Sequence, residues 1–295
     1  MLACLALCAA GPARADAILP FLVQSDCLPW ACPGGPMLRA GDPLPWRKHD
    51  WPDARWNPAP PLGHQASDSV LLRFRGAEAV MQSFDFGDGA RRFGRFDAGQ
   101  GDGGQVLVRT PEGWAIALTE DGGNGVQWFQ RPDCTPGGWL VAGPAAGPEW
   151  QEAVAPLHLR RGPAECPAQL DRSLTRWRIQ PVEYPWRSPS LAGGRFTAAT
   201  LLSEHYSHPA VRESDHLERS WHALHLGLLR WERWEAAPSP AQHRQADDLA
   251  ASGRCPPVAG DEAPAPGWRR LDCRMWTNFA PGPVSPAPWP ASQRP

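Results

Sequence analysis

Residues 67–89 read SDSVLLRFRGAEAVMQSFDFGDG, and this stretch decides the fold. Val70, Leu72 and Phe74 alternate with their neighbours, and residues 80–86 continue the same rhythm until a Gly-Asp-Gly turn. A period of two places every second side chain on one face of a β-strand, whereas a helix repeats about every 3.6 residues. The stretch therefore predicts two strands of an antiparallel sheet.

The same pattern continues toward the C-terminus in short runs separated by Gly- and Asp-rich turns. These runs lie at residues 92–96, 105–109, 114–119, 126–130, 154–160, 174–180 and 196–202. Brief strands with a turn roughly every ten residues are typical of sandwiches and barrels. We predict an all-β protein, an antiparallel β-sandwich of the jelly-roll or concanavalin-like kind.

Residues 215–235 fit two local structures. Their apolar residues fall at helical spacing, but Gly227 in the middle would weaken a helix by about 1 kcal/mol relative to Ala. The alternative is a hairpin in which residues 218–224 pair with residues 228–234. The hairpin is favoured because the surrounding chain has strand patterns.

One short helix is predicted near residues 240–252. Ser239 is a good N-cap, Pro240 fits the first helical position, and Gly253 is a typical stop. This segment is the exception in an otherwise β-rich chain.

The N-terminus has the features of a cleavable export signal. An apolar run is followed by Ala13-Arg14-Ala15, and small residues at this spacing are what signal peptidase reads. A second small-x-small site, Ala15-Asp16-Ala17, gives an alternative cut two residues later. No later segment approaches the roughly 20 apolar residues that span a bilayer. We expect a periplasmic or secreted protein without a transmembrane segment.

Four segments are expected along the chain. Residues 1–15 form the signal peptide, and residues 16–66 form a Pro/Trp-rich loop region packed on the body. Residues 67–280 form the sandwich domain. The Pro-rich tail at residues 281–295 has little to bury and is expected to be disordered.

Six cysteines remain after the signal is removed, and an even number in an exported chain indicates disulfides. We expect the pairs that are closest in sequence, because each brackets a loop dense in Pro and Gly. These pairs are Cys27–Cys32, Cys134–Cys166 and Cys255–Cys273. A zinc site is disfavoured, since no C-x-x-C motif is present.

The charge pattern excludes one class of partner. The chain has 28 Arg, a single lysine, Lys48, and a net charge of −2. The arginines are scattered, so the basic stripe of a nucleic-acid-binding protein is absent. The abundance of Arg, Ala, Gly and Pro also indicates a GC-rich coding sequence.

Several segments carry a resemblance to known proteins. They are FDFGDG at 84–89, GDGGQ at 101–105, EDGG at 120–123, RWERWE at 230–235 and CRMWT at 273–277. Through them the chain resembles uncharacterised exported proteins of GC-rich Gram-negative bacteria, a resemblance that implies export but no activity. More loosely, its strands and turns resemble concanavalin-like β-sandwich lectins and glucanases. The paired-carboxylate motif E-x-D-x-x-E of a glucanase is absent.

The chain contains tryptophan and carboxylate side chains of the kinds that form glycan-binding sites. Sugar rings stack on Trp, and sugar hydroxyls donate hydrogen bonds to Asp and Glu. The expected ligand-binding residues are Trp128, Trp221, Trp231, Trp234 and Asp102. The candidate catalytic residues are Glu204, Glu218 and Glu232, and on the hairpin Glu218 and Glu232 can point to one face as a glycosidase pair. The competing interpretation places the Trp residues in the core and the carboxylates in charge pairs.

Metal and cofactor chemistry is not predicted. Five histidines at residues 205–225 could chelate a metal only on a helix, and on strands their pairs point to opposite faces. The acidic Gly-rich loops are explained by hairpin turns and do not match an EF-hand. The expected function is glycan binding, with polysaccharide as partner; the alternatives are a secreted carbohydrate-active hydrolase or lyase and a structural envelope protein.

Overall fold

The structure, a computed structural model, describes residues 16–28, 34–50, 66–85, 102–120, 126–161, 171–188, 193–253 and 255–281. Within these ranges there are thirteen strands. They are β1 (Trp46–Asp50), β2 (Ala66–Phe74), β3 (Ala77–Asp85), β4 (Asp102–Thr110), β5 (Gly113–Glu120), β6 (Val126–Gln130), β7 (Trp139–Ala142), β8 (Gln151–Arg161), β9 (Asp171–Trp186), β10 (Gly194–Tyr206), β11 (His216–Ala223), β12 (Gly227–Glu235) and β13 (Arg269–Pro281). The helices are α1 (Leu19–Leu22) and α2 (Pro240–Ala251). Neither of these two described helices has the length and apolar character that a membrane crossing requires.

All strands belong to one antiparallel sheet that curls into a barrel-like ring. The order around the ring is β4-β3-β2-β1-β13-β12-β11-β10-β9-β8-β6-β5, and β4 also pairs with β5. Strand β7 is added at the side, where it pairs with β5. Among the described residues, β1 and β2 are joined by two pairs, Lys48↔Ser67 and His49↔Ala66. The fold is therefore β-rich as predicted, but barrel-like rather than a clear sandwich.

The sequence pattern missed three of these strands, β1, β7 and β13, and two of them, β1 and β13, account for this correction. β1 lies inside the Pro/Trp-rich segment that was expected to be loop, and β13 lies near the C-terminus. β1 pairs with both β13 and β2, so it joins the two halves of the sheet. A strand that reads Trp-Arg-Lys-His-Asp shows no apolar alternation, because Arg47 and Lys48 bond polar groups on β2 while Trp46 is its one residue in an apolar cluster.

The interior of the ring is filled by the N-terminal segment. Ile18, Phe21 and Leu22 are buried against inward side chains of the strands, including Leu107 and Ile116. The segment also bonds to the sheet edge, since Gln24 N donates to Ser69 O at 3.0 Å. Apolar burial of this kind contributes roughly 25 cal/mol per Å². Residues just after the predicted signal are thus part of the core.

The hairpin and the helix that were predicted are confirmed. β11 and β12 pair through a tight turn in which Gly227 has φ +69°. A Cβ on Gly227 would lie 2.5 Å from Ser69 Oγ, so the turn fits against β2 only with glycine. Ser239 caps α2 in a capping box with Gln242, and Pro240 is its first residue.

The other predicted strands coincide with observed ones, except that residue 86 and residues 92–96 lie outside the described ranges. The disulfide Cys255–Cys273 is present as expected. Cys27 and Cys134 are also disulfide-bonded, while their expected partners, Cys32 and Cys166, lie outside the described residues. The signal peptide and the C-terminal tail lie outside them as well.

Candidate functional site

The register of the β11–β12 hairpin separates two of the predicted catalytic residues. Glu218 is opposite Arg233, and Arg219 is opposite Glu232. Directly opposed residues share a face and successive residues alternate, so Glu218 and Glu232 lie on opposite faces of the sheet. The expectation that these two carboxylates face each other is therefore wrong.

Glu232 lies in a buried charge network on the outer face of β9–β13. Its side chain has no solvent exposure. Arg230 Nε donates to Glu232 Oε1 at 3.0 Å, Arg270 Nη1 donates to the same oxygen at 2.7 Å, and Trp234 Nε1 donates to Oε2 at 2.8 Å. Burial acts to raise the pKa of Glu232, but the arginines and the indole hold it below the usual value.

Glu204 occupies the neighbouring position in the same network. Arg219 Nε donates to its Oε1 at 2.8 Å, and Tyr206 Oη and Arg176 donate to its Oε2. Arg219 also lies 3.8 Å from Glu232 Oε2 and so links the two carboxylates. Burial acts to raise the pKa of Glu204, but the two arginines bring it below the usual value.

A loop that follows α2 covers this network. Arg230 Nη1 donates to Pro256 O at 2.6 Å, Arg219 Nη1 to Glu262 O at 2.9 Å, and Trp221 Nε1 to Ala259 O at 3.2 Å. The disulfide Cys255–Cys273 ties the loop to β13. Glu204 and Glu232 are thus ionised, enclosed and occupied by protein donors, which is the arrangement of a structural cluster and not of a proton-transfer site.

Trp221 and Trp234 belong to the same buried layer. Trp221 is fully buried and Trp234 is 7% exposed. The guanidinium of Arg230 lies 5.2 Å from the Trp221 ring, and that of Arg270 lies 5.7 Å from the Trp234 ring. These two rings make cation–π contacts with arginine side chains, and little of their surface is left for a ligand.

The inward face of β11 presents a row of polar side chains, which we call the polar row: His216, Glu218, Ser220 and His222. The row faces the interior, because His222 Nδ1 lies 3.2 Å from Gln82 Nε2 on β3, across the ring. His216, Glu218 and Ser220 are partly exposed, whereas His222 is buried. The row therefore leads from solvent to the core.

His216 is held between two carboxylates at the exposed end of the row. Its Nδ1 lies 2.9 Å from Glu235 Oε1, and its Nε2 lies 3.5 Å from Glu218 Oε1. Burial acts to lower the pKa of His216, but the two carboxylates raise it to about 9. The imidazole is therefore a cation at neutral pH.

Trp231 joins this group from β12. Its Nε1 donates to Glu218 Oε2 at 2.8 Å, and its ring is partly exposed. A partly exposed indole, two carboxylates and an imidazolium thus share one face. Of the predicted site residues, Glu218 and Trp231 are the two that the structure brings into contact there.

The buried end of the polar row meets Lys48, which sequence reasoning did not select. Lys48 Nζ donates to Leu226 O at 2.7 Å, Leu228 O at 3.1 Å and Ser69 Oγ at 3.2 Å. Burial lowers the pKa of Lys48 to about 7, although Asp68 acts to raise it. Burial and the charge of Lys48 lower the pKa of His222 to about 3. The signal in the sequence was that this is the single lysine beside 28 arginines.

The remaining predicted ligand residues lie elsewhere. Trp128 is on the outer face of β6, where the Arg75 guanidinium lies 5.0 Å from its ring. Arg75 helps to line an open cleft of about 280 Å³ near the β2–β3 turn. The backbone of Asp102 pairs with Asp85, and its side chain lies outside the described residues. Among the residues that the structure describes, no group of three or more His, Cys, Asp or Glu is placed to hold a metal ion.

No family model and no curated protein matches the sequence. One solved structure is similar, that of a "putative lipoprotein" from Parabacteroides distasonis ATCC 8503. The identity is 10%, the TM-score is 0.21, and the match covers 67% of this chain and 90% of that chain.

Proposed function

We propose that the protein is an exported, disulfide-bonded binding protein that takes a glycan at the exposed end of the polar row. The observation that carries the proposal is the contact of Trp231 with Glu218 on a partly exposed face, beside His216 and Glu235. Sugars are bound by aromatic faces together with charged hydrogen-bonding groups, and this is the combination present.

The other predicted carboxylates favour binding over catalysis. Glu204 and Glu232 are enclosed and bonded to arginines, so neither is placed to protonate a leaving group. Glu218 also points away from Glu232. A carbohydrate-active hydrolase or lyase using Glu204, Glu218 or Glu232 is therefore the weaker proposal.

Export is supported by the cysteine chemistry. Cys255 and Cys273 form a disulfide with each other. Cys27 and Cys134 each take part in a disulfide as well. Disulfides persist in the periplasm and outside the cell and are rare in the cytosol. A periplasmic or secreted location fits both the bonds and the N-terminal sequence.

The test is retention on polysaccharides. The oxidised protein is incubated with a panel of insoluble and soluble polysaccharides, and bound protein and released sugar are measured together. Retention without release is expected, and it should fall at least about tenfold in Trp231→Ala and in Glu218→Gln. Release of reducing or unsaturated sugar would instead establish the hydrolase or lyase.

Two further variants keep the test specific. Trp231→Phe keeps an aromatic face but removes the N–H donated to Glu218, so partial binding is expected. Trp128→Ala removes a partly exposed tryptophan from the outer face and should bind normally. If Trp128→Ala abolishes retention and Trp231→Ala does not, the proposed site is wrong. If nothing in the panel is retained, a structural envelope protein becomes the better proposal.

A further inference from the structure

Asp16, in the N-terminal segment of the folded chain, contacts three other groups. Asp16 Oδ2 accepts a hydrogen bond from Trp114 Nε1 at 2.7 Å, and Asp16 Oδ1 accepts from the backbone N–H of Ile18 at 3.0 Å. The same carboxylate lies 3.5 Å from Arg109 Nη1. Asp16 thus accepts hydrogen bonds from one indole and from a backbone N–H at the start of α1, and it pairs with one guanidinium.

Each of these contacts has a cost if Asp16 is removed. Trp114 is 1% exposed, so its N–H would lose its partner in a buried place. Ile18 is fully buried, and a chain that began there would place a new ammonium group in the apolar interior. Ala17, by contrast, is exposed.

The sequence offers signal peptidase two cuts, after Ala15 and after Ala17. We propose that the leader is removed between Ala15 and Asp16. Asp16 is then the mature N-terminal residue, and its contacts with Trp114, Arg109 and Ile18 stabilise the barrel. This inference rests on the export that forms part of the proposed function. The later cut would remove the carboxylate that Trp114 and Arg109 bind and would create a buried charged terminus at Ile18.

The processing site is tested by N-terminal sequencing and intact mass of the protein recovered from the periplasm or medium of a Gram-negative host. The expected first residue is Asp16. A first residue of Ile18 would overturn the inference, whereas an uncut chain that starts at Met1 would count against export itself. The two failures are therefore distinguishable.

Two substitutions each block one cut, because signal peptidase requires small residues at the −3 and −1 positions. Ala17→Gln blocks only the later cut and changes an exposed side chain, so processing and yield should be unchanged. Ala13→Gln blocks only the earlier cut, so export should slow or the product should begin at Ile18. Normal processing of Ala13→Gln together with failure of Ala17→Gln would reverse the assignment.

The structural reason is tested separately on purified proteins made to begin at Asp16 and at Ile18. The Ile18 form should melt at least about 3 °C lower, and Asp16→Ala in the longer form should reproduce most of this loss. Arg212→Ala, an exposed arginine far from the segment in sequence, is the control and should melt like the wild type. Equal melting temperatures of the forms that begin at Asp16 and at Ile18 would overturn the claim that Asp16 stabilises the fold.

Discussion

Arg230 and Glu232 lie two residues apart on β12 and form an ion pair in which neither side chain is exposed to solvent. The alternation of the strand brings them to the same face, where Arg230 Nε and Nη2 both donate to Glu232 Oε1. Burying two charges is expensive, and the pair is tolerable because Arg270, Trp234 and Pro256 O satisfy the remaining groups.

The substitution Arg230→Met should destabilise the protein strongly. It removes the cation closest to Glu232 and leaves a buried carboxylate with fewer donors. We expect the free energy of unfolding to fall by about 3–5 kcal/mol, measured by urea denaturation at pH 7. Part of the loss should return in the double variant Arg230→Met/Glu232→Leu, because the unpaired buried carboxylate is then removed. The recovery should be incomplete, since Trp234 Nε1 and Arg270 lose the acceptor that Glu232 supplies.

The matched control is Arg195→Ala. Arg195 pairs with Glu183, but both side chains are more than half exposed. Exposed ion pairs contribute about 0–1 kcal/mol, so this variant should unfold almost like the wild type. If Arg230→Met costs no more than Arg195→Ala, the buried network does not stabilise the fold.

Local sequence signals predicted local structure well. The hairpin of β11 and β12 followed from strand context and from Gly227, and α2 followed from Ser239, Pro240 and Gly253. The strands with apolar alternation were also found, because one buried face imposes a period of two. Each of these features depends on residues close together in the chain.

Features that depend on distant pairing were not predictable. The closure of the ring needs β1, a polar strand that pairs with β2 and with β13, which lies near the C-terminus. The separation of Glu218 from Glu232 depends on a one-residue register, which moves a side chain to the other face. The surroundings of Lys48 were not predictable either, because Leu226, whose carbonyl accepts a hydrogen bond from Nζ, lies 178 residues later in the chain.

The disulfide Cys255–Cys273 should protect the charge network. It closes a loop with a sequence separation of 18, and that loop supplies the carbonyl groups of Pro256, Ala259 and Glu262. Cys255→Ala/Cys273→Ala should lower the free energy of unfolding by about 2–4 kcal/mol. Hydrogen exchange at the Trp221 indole should also accelerate, as followed by NMR, while exchange at the Trp114 indole stays slow. Unchanged exchange at Trp221 would show that the loop stays closed without the bond.

His216 should titrate near pH 9, because Glu218 and Glu235 favour its charged form. A folded-state pKa above the unfolded value of about 6.5 stabilises the fold below that pH, and the stabilisation is lost as pH rises through 9. Either Glu218→Gln or Glu235→Gln should bring the pKa of His216 down, measured by NMR titration of the imidazole. Glu213→Gln, whose carboxylate lies 3.5 Å from His208, is the control and should leave it unchanged. A wild-type pKa near 6.5 would contradict the geometry.

Lys48 should give stability a pH dependence of the opposite sign. Its pKa is about 7 in the folded chain and about 10.5 when unfolded, so between these values the unfolded chain holds one proton more. Stability then rises with pH by up to about 1.4 kcal/mol per unit, and the penalty for burying the ammonium is complete below pH 7. The stabilisation that protonated His216 contributes is lost over part of the same pH range. The effect of Lys48 is therefore isolated by comparing two proteins that differ only at this residue.

The measurement compares wild type with Lys48→Met by urea denaturation from pH 6 to pH 9.5. The difference in free energy of unfolding, wild type minus variant, should be flat below pH 7 and should rise above it. The contribution of His216 is present in both proteins and cancels, and Lys48 is the single lysine of the chain. A difference that stays flat throughout would mean that the three acceptors around Nζ, Leu226 O, Leu228 O and Ser69 Oγ, hold the ammonium as well as water does.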